Sequence, residues 1–169
     1  VSGSPYPITC AIGTLASSLQ THWLDWPNDG PHFLVAGPPR SGRTSVLTSA
    51  VLGACARYSP EELWIVLVDG SQSSLRSLAD LPHVIDWVTD EDGLSWNIAC
   101  LKKELAYRRQ EFQSQINDRL TSQPSISFPI ILFVIDDYDL THDALGINDE
   151  ILMQLGKHIR QDSALGIHF

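Results

Sequence analysis

The stretch "HFLVAGPPRSGRTSVL", residues 32–47, decides how this chain is read. Its first part, "HFLVAG" (32–37), is a short apolar run bounded by Pro31 and Gly37, the pattern of a buried strand. Further on, 44–59 places Val46, Leu47, Ala50, Val51, Ala54 and Cys55 at helical spacing, and Pro60 stops the helix. Between them "GPPRSGRTS" (37–45) reads Gly-x-x-x-x-Gly-Arg-Thr, in the strand–loop–helix context of a phosphate-binding loop. Gly37 and Gly42 let backbone N–H groups turn inward, and the positive end of the following helix adds to the anion cradle. Pro38, Pro39, Arg40 and Ser41 fill the loop, Thr44 offers its hydroxyl to Mg²⁺, and Ser45 completes the candidate nucleotide-binding stretch 37–45. Arg43 stands where such loops carry Lys. The charge is kept, but a planar fork replaces a compact ammonium, a change that binding tolerates better than hydrolysis does. The plainer alternative is a strand-to-helix turn that merely needs glycine.

A second passage, "IILFVIDDYD" (130–139), is the most hydrophobic strand in the chain and ends in an acidic pair. Asp136 at a strand end is the position that holds the shell of a Mg²⁺ ion. Asp137 follows, where the base that orients an attacking water, often Glu, is expected. A carboxylate one methylene short falls back by ~1 Å, which can cost on the order of 100-fold in rate. Alone, the pair would be a solvated strand end or a helix cap; after the Gly-rich loop it becomes a paired signal.

Outward from these passages, 7–13 reads as a short strand, 62–69 as a second buried strand and 83–89 as a third. "SSLRSLADLP" (73–82) is a short helical turn. The segment 90–120 is a long amphipathic helix with Leu94, Ile98, Leu101, Leu105, Phe112, Ile116 and Leu120 on its buried stripe. Arg108 and Arg109 read as a solvated face paired with Glu104 and Glu111. "YDLTHDALG" is read as a loop, 148–166 as a helix capped by Asn148 or Asp149, and "IHF" as the opening of another strand. Trp64 and Trp87 are read as core, and Asp69 as structural. Apolar strands alternating with helices predict a three-layer, doubly wound α/β fold with a central parallel sheet. Residues 1–31, rich in Pro, Gly, Ser and Trp, form a lead-in that packs on the core, and 32–169 the phosphate-loop domain.

Composition bounds the function. The chain has 169 residues, 43% hydrophobic and 18% charged, one domain by length and unlike a disordered tail or a charged coiled coil. No apolar run approaches the ~20 residues of a membrane span, and no signal peptide is evident. Eleven basic against twenty acidic residues give a net charge of −9, a poor match for a surface that grips DNA by phosphate neutralisation. Cys10, Cys55 and Cys100 are widely spaced and read as reduced thiols, and the six histidines show no metal-ligand spacing. A start at Val1 and an apolar stop at Phe169 suggest a piece of something longer.

Together these passages resemble the FtsK/SpoIIIE-type ATPase domains of the RecA-like/AAA+ P-loop class, most of all the tandem, partly degenerate ATPase domains of EccC/EssC proteins in type VII secretion. The resemblance rests on 32–47, on "ELWIVLVDGSQSSLRSLADLPHV" (62–84), on "VTDEDGLSWNIACLKKELAYRRQEF" (88–112) and on "ILFVIDDYDL" (131–140); "ALGIHF" (164–169) resembles the lead into the fourth core strand. It implies ATP and Mg²⁺ as ligands, with Gly37, Gly42, Arg43 and Thr44 on phosphate, Asp136 linked to the metal and Asp137 in the catalytic-acid position. It also implies a bacterial, membrane-anchored parent with this domain on the cytoplasmic side. The parent would carry neighbouring ATPase domains in the same chain, assemble as a hexameric ring and export helical effector proteins through a C-terminal signal. Arg43 and Asp137 depart from an active motif and suit a later, degenerate domain that binds nucleotide, regulates or recognises effectors. An active ATPase and a DNA translocase module remain the alternatives.

Overall fold

The computed structural model describes residues 8–117, 128–146 and 149–169. The chain runs β1 (Thr9–Thr14), β2 (Thr21–Asp25), a short α1 (Trp26–Asp29), α2 (Arg43–Cys55), β3 (Leu63–Asp69), β4 (Val84–Val88), α3 (Glu91–Asn117), β5 (Ile130–Asp136), α4 (Tyr138–Ala144), α5 (Asp149–Gln161) and β6 (Ile167–His168). Single 3-10 turns at Arg76–Leu78 and Ser163–Leu165 lie between β3 and β4 and between α5 and β6.

Strands β4, β3, β5 and β6 form one sheet in that order, and all three neighbouring pairs are parallel. β3 and β5 are its spine, paired in unbroken register from Leu63↔Ile130 to Asp69↔Asp136. Both are apolar nearly throughout because both faces are covered. The pleat then sorts their side chains with period two. Ile65 and Leu67 of β3, with Leu132 and Val134 of β5, join the cluster that contains Val51 and Ala54 of α2. Val66 and Val68, with Ile131 and Phe133, join Leu94, Ile98, Leu101 and Leu105 of α3 and Ile151 and Leu155 of α5 on the opposite face. That is the expected three-layer parallel α/β architecture. The antiparallel β1–β2 hairpin lies outside the sheet, against α2. Ile8 and Cys10 enter the α2-side core, and the buried Cys10 thiol is pushed up to about 11 by desolvation.

Four readings change. The apolar run 32–37 is not a strand: it lies beside the end of β6, and Phe33 N–H donates to Phe169 O at 3.0 Å. A strand is defined by a ladder of partners, and among the described residues this run makes one such main-chain bond, at Phe33. "YDLTHDALG" is helical rather than loop, as α4. Arg108 is fully buried rather than solvated. Its Nε donates to Glu104, its Nη1 donates to Leu165 O at 2.7 Å, and its guanidinium lies over the Phe128 ring. Arg109 pairs with buried Asp162, which also holds His158 Nδ1 at 2.7 Å. Trp64 and Trp87 are half-buried, packed at the margins of the two clusters. Leu120, the loop 121–127 and the Asn148 cap lie outside the described residues.

Candidate functional site

Helix α2 begins abruptly at Arg43. Gly42 has φ +93°, a left-handed backbone that suits glycine, and Arg40 is also left-handed at φ +64°. A Cβ on Gly37 would come 2.5 Å from Ser41 Oγ and 3.3 Å from Ser41 Cβ, so a side chain there would turn the hydroxyl away and press on the loop. The result is a wound loop, with Ser41 N–H donating to Pro38 O, and the first bond to Gly42 comes from Val46 N–H. The amides of the first turn of α2 precede that bond, and no side chain caps the helix. Its first turn has no acidic residue and carries Arg43, the reverse of what the helix dipole favours. A cation placed against the dipole makes sense where an anion is to be held by both.

The acidic pair comes from the sheet. Asp136 continues the Leu132–Val134 row that faces α2, so the pleat aims its carboxylate at the loop. Thr44 Oγ1 donates to Asp136 Oδ2 at 2.9 Å, and Asp136 is buried. Asp137 would alternate to the far face in an extended strand. Instead it takes φ +44°, ψ +71°, a left-handed conformation that costs of order 1–3 kcal/mol for a non-glycine residue. The turn brings its carboxylate to 3.9 Å from Arg43 Nη2. It does so without capping α4 through its side chain. Such strain concentrates at functional sites. Of the predicted residues, Gly37 and Arg43 line the same cleft as Asp136 and Asp137, Thr44 is bonded to Asp136, and Gly42 supplies the turn into α2. Pro38, Pro39, Arg40, Ser41 and Ser45 are exposed on the outer side.

Sequence reasoning missed Thr141. Its hydroxyl donates to Asp136 O at 2.6 Å and accepts from Gly70 N–H at 3.1 Å, tying the ends of β5 and β3 together behind the acidic pair. A Thr five residues past an acidic strand end in a helix is the only sequence signal for it. Asp69, in register with Asp136, is structural as read: Ser71, Ser74 and the Leu75 N–H all donate to its carboxylate. Burial pushes that carboxyl up, but these bonds outweigh it and hold it below the usual range.

A cleft of about 700 Å³ runs between residues 32–37 and β5. Phe33, Val35, Leu132 and Val134 line its apolar body, and Arg43, Asp136 and Asp137 its polar end. His32, on its lining, accepts at Nδ1 from Phe169 N–H at 3.1 Å, and the buried His168 donates from Nδ1 to Pro31 O at 2.7 Å. Burial lowers the pKa of both rings, and for His168 it outweighs the Pro31 carbonyl, which raises it.

No helix among the described residues is long and apolar enough to cross a membrane. Compared with known proteins, the chain is 25% identical over 169 residues to the ESX secretion system protein EccC of Geobacillus thermodenitrificans, covering 97% of this chain and 11% of that protein. It is 24% identical over 142 residues to the type VII secretion system protein EssC of Staphylococcus aureus, covering 81% and 10%. The DNA translocase FtsK of Mycobacterium tuberculosis matches at 26% over 82% of this chain and 18% of its own length. The chain thus spans between a tenth and a fifth of the curated relatives it matches. Among solved structures, the cytoplasmic domain of EssC superposes with a TM-score of 0.78 at 24% identity, over 95% of this chain and 32% of that one. Thermomonospora curvata EccC (ATPases 2 and 3) in complex with a signal sequence peptide gives a TM-score of 0.71 at 24% identity, over 98% and 28%. The FtsK/SpoIIIE family model matches residues 7–126, a span that contains the loop, β3, β4 and α3. With that match over most of its length and the RecA-like fold of its structural neighbours, the chain belongs to the FtsK/SpoIIIE family.

Proposed function

We propose that this chain is a nucleotide-binding, FtsK/SpoIIIE-like domain of a type VII secretion ATPase, with weak or absent turnover and a regulatory or effector-recognition role in protein export. The observation that carries the reading is the Thr44–Asp136 hydrogen bond at 2.9 Å, which joins the loop to the strand end across 92 residues of sequence. A hydroxyl and a carboxylate are hard oxygen donors, the set that suits Mg²⁺. The uncapped start of α2 and Arg43 supply donors for phosphate oxygens. The residues present therefore fit a Mg²⁺–nucleotide: Thr44 and Asp136 toward the metal, loop amides and Arg43 toward the phosphates. Bound Mg²⁺ would neutralise charge on the terminal phosphates. Asp137 would orient a water there.

Weak turnover follows from the same geometry. Arg43 replaces a compact charge with a fork that pairs with Asp137, and Asp137 is the shorter carboxylate. The secretion setting draws on the EccC and EssC relatives. By analogy with the EccC structure that holds a signal sequence peptide, an effector signal is the expected protein partner, with neighbouring ATPase domains in the same parent chain. The helical form of that signal and a hexameric ring are what the family resemblance implies. The FtsK likeness supports DNA translocation as the second reading, against which the net charge of −9 weighs.

The test is titration of a fluorescent ATP analogue with Mg²⁺ against wild type, Arg43→Ala and Thr44→Ala. Saturable binding that both variants lose supports the reading. No binding at millimolar ligand overturns it.

A further inference from the structure

The two groups that would greet a phosphate are already engaged with each other. Arg43 Nη2 lies 3.9 Å from Asp137 Oδ2, and both side chains are about two-fifths exposed, at 35% and 42%. The contact exists because Asp137 accepts a left-handed backbone at φ +44°, which leaves its side chain off the α4 cap. The neighbouring pair, Thr44 and Asp136, is joined by a hydrogen bond. The polar end of the cleft is thus closed by two adjacent links between the start of α2 and the end of β5. Arg40 and Arg43 are the basic side chains of the loop, and Asp136, Asp137 and Asp139 stand on the opposite side.

We infer that Asp137 acts as a selectivity gate: by holding Arg43 it disfavours phosphate ligands that arrive without a divalent cation and admits those that bring one. The inference rests on the nucleotide reading above. A metal-free polyphosphate must take Arg43 from Asp137 and then lie beside two uncompensated carboxylates. A polyphosphate that carries Mg²⁺ would bring positive charge to the Asp136 side, so the charge that Asp137 loses on releasing Arg43 would be offset nearby. Asp137 is here a positioning residue for Arg43, distinct from any part it takes in orienting water. The pair is half-exposed, so its effect is modest, about five-fold in affinity.

The experiment measures dissociation constants for inorganic pyrophosphate and for a fluorescent ATP analogue, each in EDTA and in Mg²⁺. The proteins are wild type, Asp137→Asn, Arg43→Ala and the double variant. Asn tolerates the left-handed conformation as Asp does, so Asp137→Asn keeps the turn. The expected result is that Asp137→Asn tightens metal-free pyrophosphate about five-fold and reduces the gain from Mg²⁺. In the Arg43→Ala background the same substitution has less than half that effect on a logarithmic scale. An equal gain with and without Arg43 would mean plain repulsion by a carboxylate and would overturn the gate. Wild type that binds the analogue with Mg²⁺ while Asp137→Asn leaves the metal dependence unchanged would overturn the gate and keep the nucleotide reading. No binding of either ligand to any variant would overturn both.

Discussion

Thr44 and Asp136 meet at 2.9 Å although 92 residues separate them, and this hydrogen bond ties the start of α2 to the end of β5. Asp136 is buried, with Thr44 on its carboxylate and Thr141 on its main-chain oxygen. Replacing Thr44 by Val keeps the shape and removes the donor. That leaves a buried carboxylate short of a partner, and the chain without ligand is expected to lose about 1–3 kcal/mol in urea unfolding. The same variant is expected to weaken Mg²⁺-nucleotide binding at least tenfold by titration.

Arg108 is a stability determinant rather than a surface charge. Its guanidinium reaches Glu104 on its own helix and Leu165 O in the turn before β6, and is covered by Phe128. Arg108→Ala is expected to cost about 3–5 kcal/mol, the range for breaking a buried ionic pair and leaving polar groups unmatched. Arg109→Ala, on a half-exposed partner of Asp162, is expected to cost less. Denaturant midpoints of the two variants against wild type check the order.

Gly53 sits inside α2, where Ala would ordinarily gain about 1 kcal/mol. A Cβ there would meet the β1 backbone at 3.0 Å from Ala11 O and 3.2 Å from Ala11 N. Backbone cannot step aside as a side chain can, so the clash outweighs propensity. Gly53→Ala is expected to destabilise by about 1–3 kcal/mol, read as a lower melting temperature.

Acidification is expected to weaken the fold in two stages. His32 and His168 have native pKa values lowered from 6.5, so the unfolded chain binds protons more readily than the folded one. Their contribution is intact above pH 6.5 and is lost as pH falls below it, at up to about 1.4 kcal/mol per pH unit for each ring. His168 protonates at a cost because its Nε2 is buried without a partner while Nδ1 serves Pro31 O. His168→Asn keeps a donor near the Nδ1 position and is expected to flatten the first stage of a urea-stability profile between pH 7.5 and 5.5. The second stage comes from Asp69, whose depressed pKa stabilises the fold above 3.8 and ceases to as pH falls below that value.

Much of this was legible before any coordinates. The apolar runs at 62–69 and 130–137 could only be strands buried on both faces, and β3 and β5 are the spine of the sheet. The Gly-rich loop and the acidic pair were each readable, and period two along β5 explains why Asp136 faces the loop. What escaped depended on tertiary partners. The run 32–37 has the composition of a strand, but pairing is a property of its neighbour. Arg108 was misread because charge outranked position: at 101, 105, 108 and 112 it falls on the buried stripe of α3, and that spacing was the available signal. α4 starts from the left-handed Asp137 and is held by Thr141 and buried Leu145, none of which shows as periodicity.

The apolar cleft beside β5 bears on how the protein is handled. Leu34, 89% exposed, stands at its rim, and Phe33, Val35, Leu132 and Val134 line its body. An exposed apolar surface of this kind favours self-association. Light scattering is therefore expected to rise steeply with concentration. Leu34→Lys is expected to suppress that rise while leaving the melting temperature nearly unchanged.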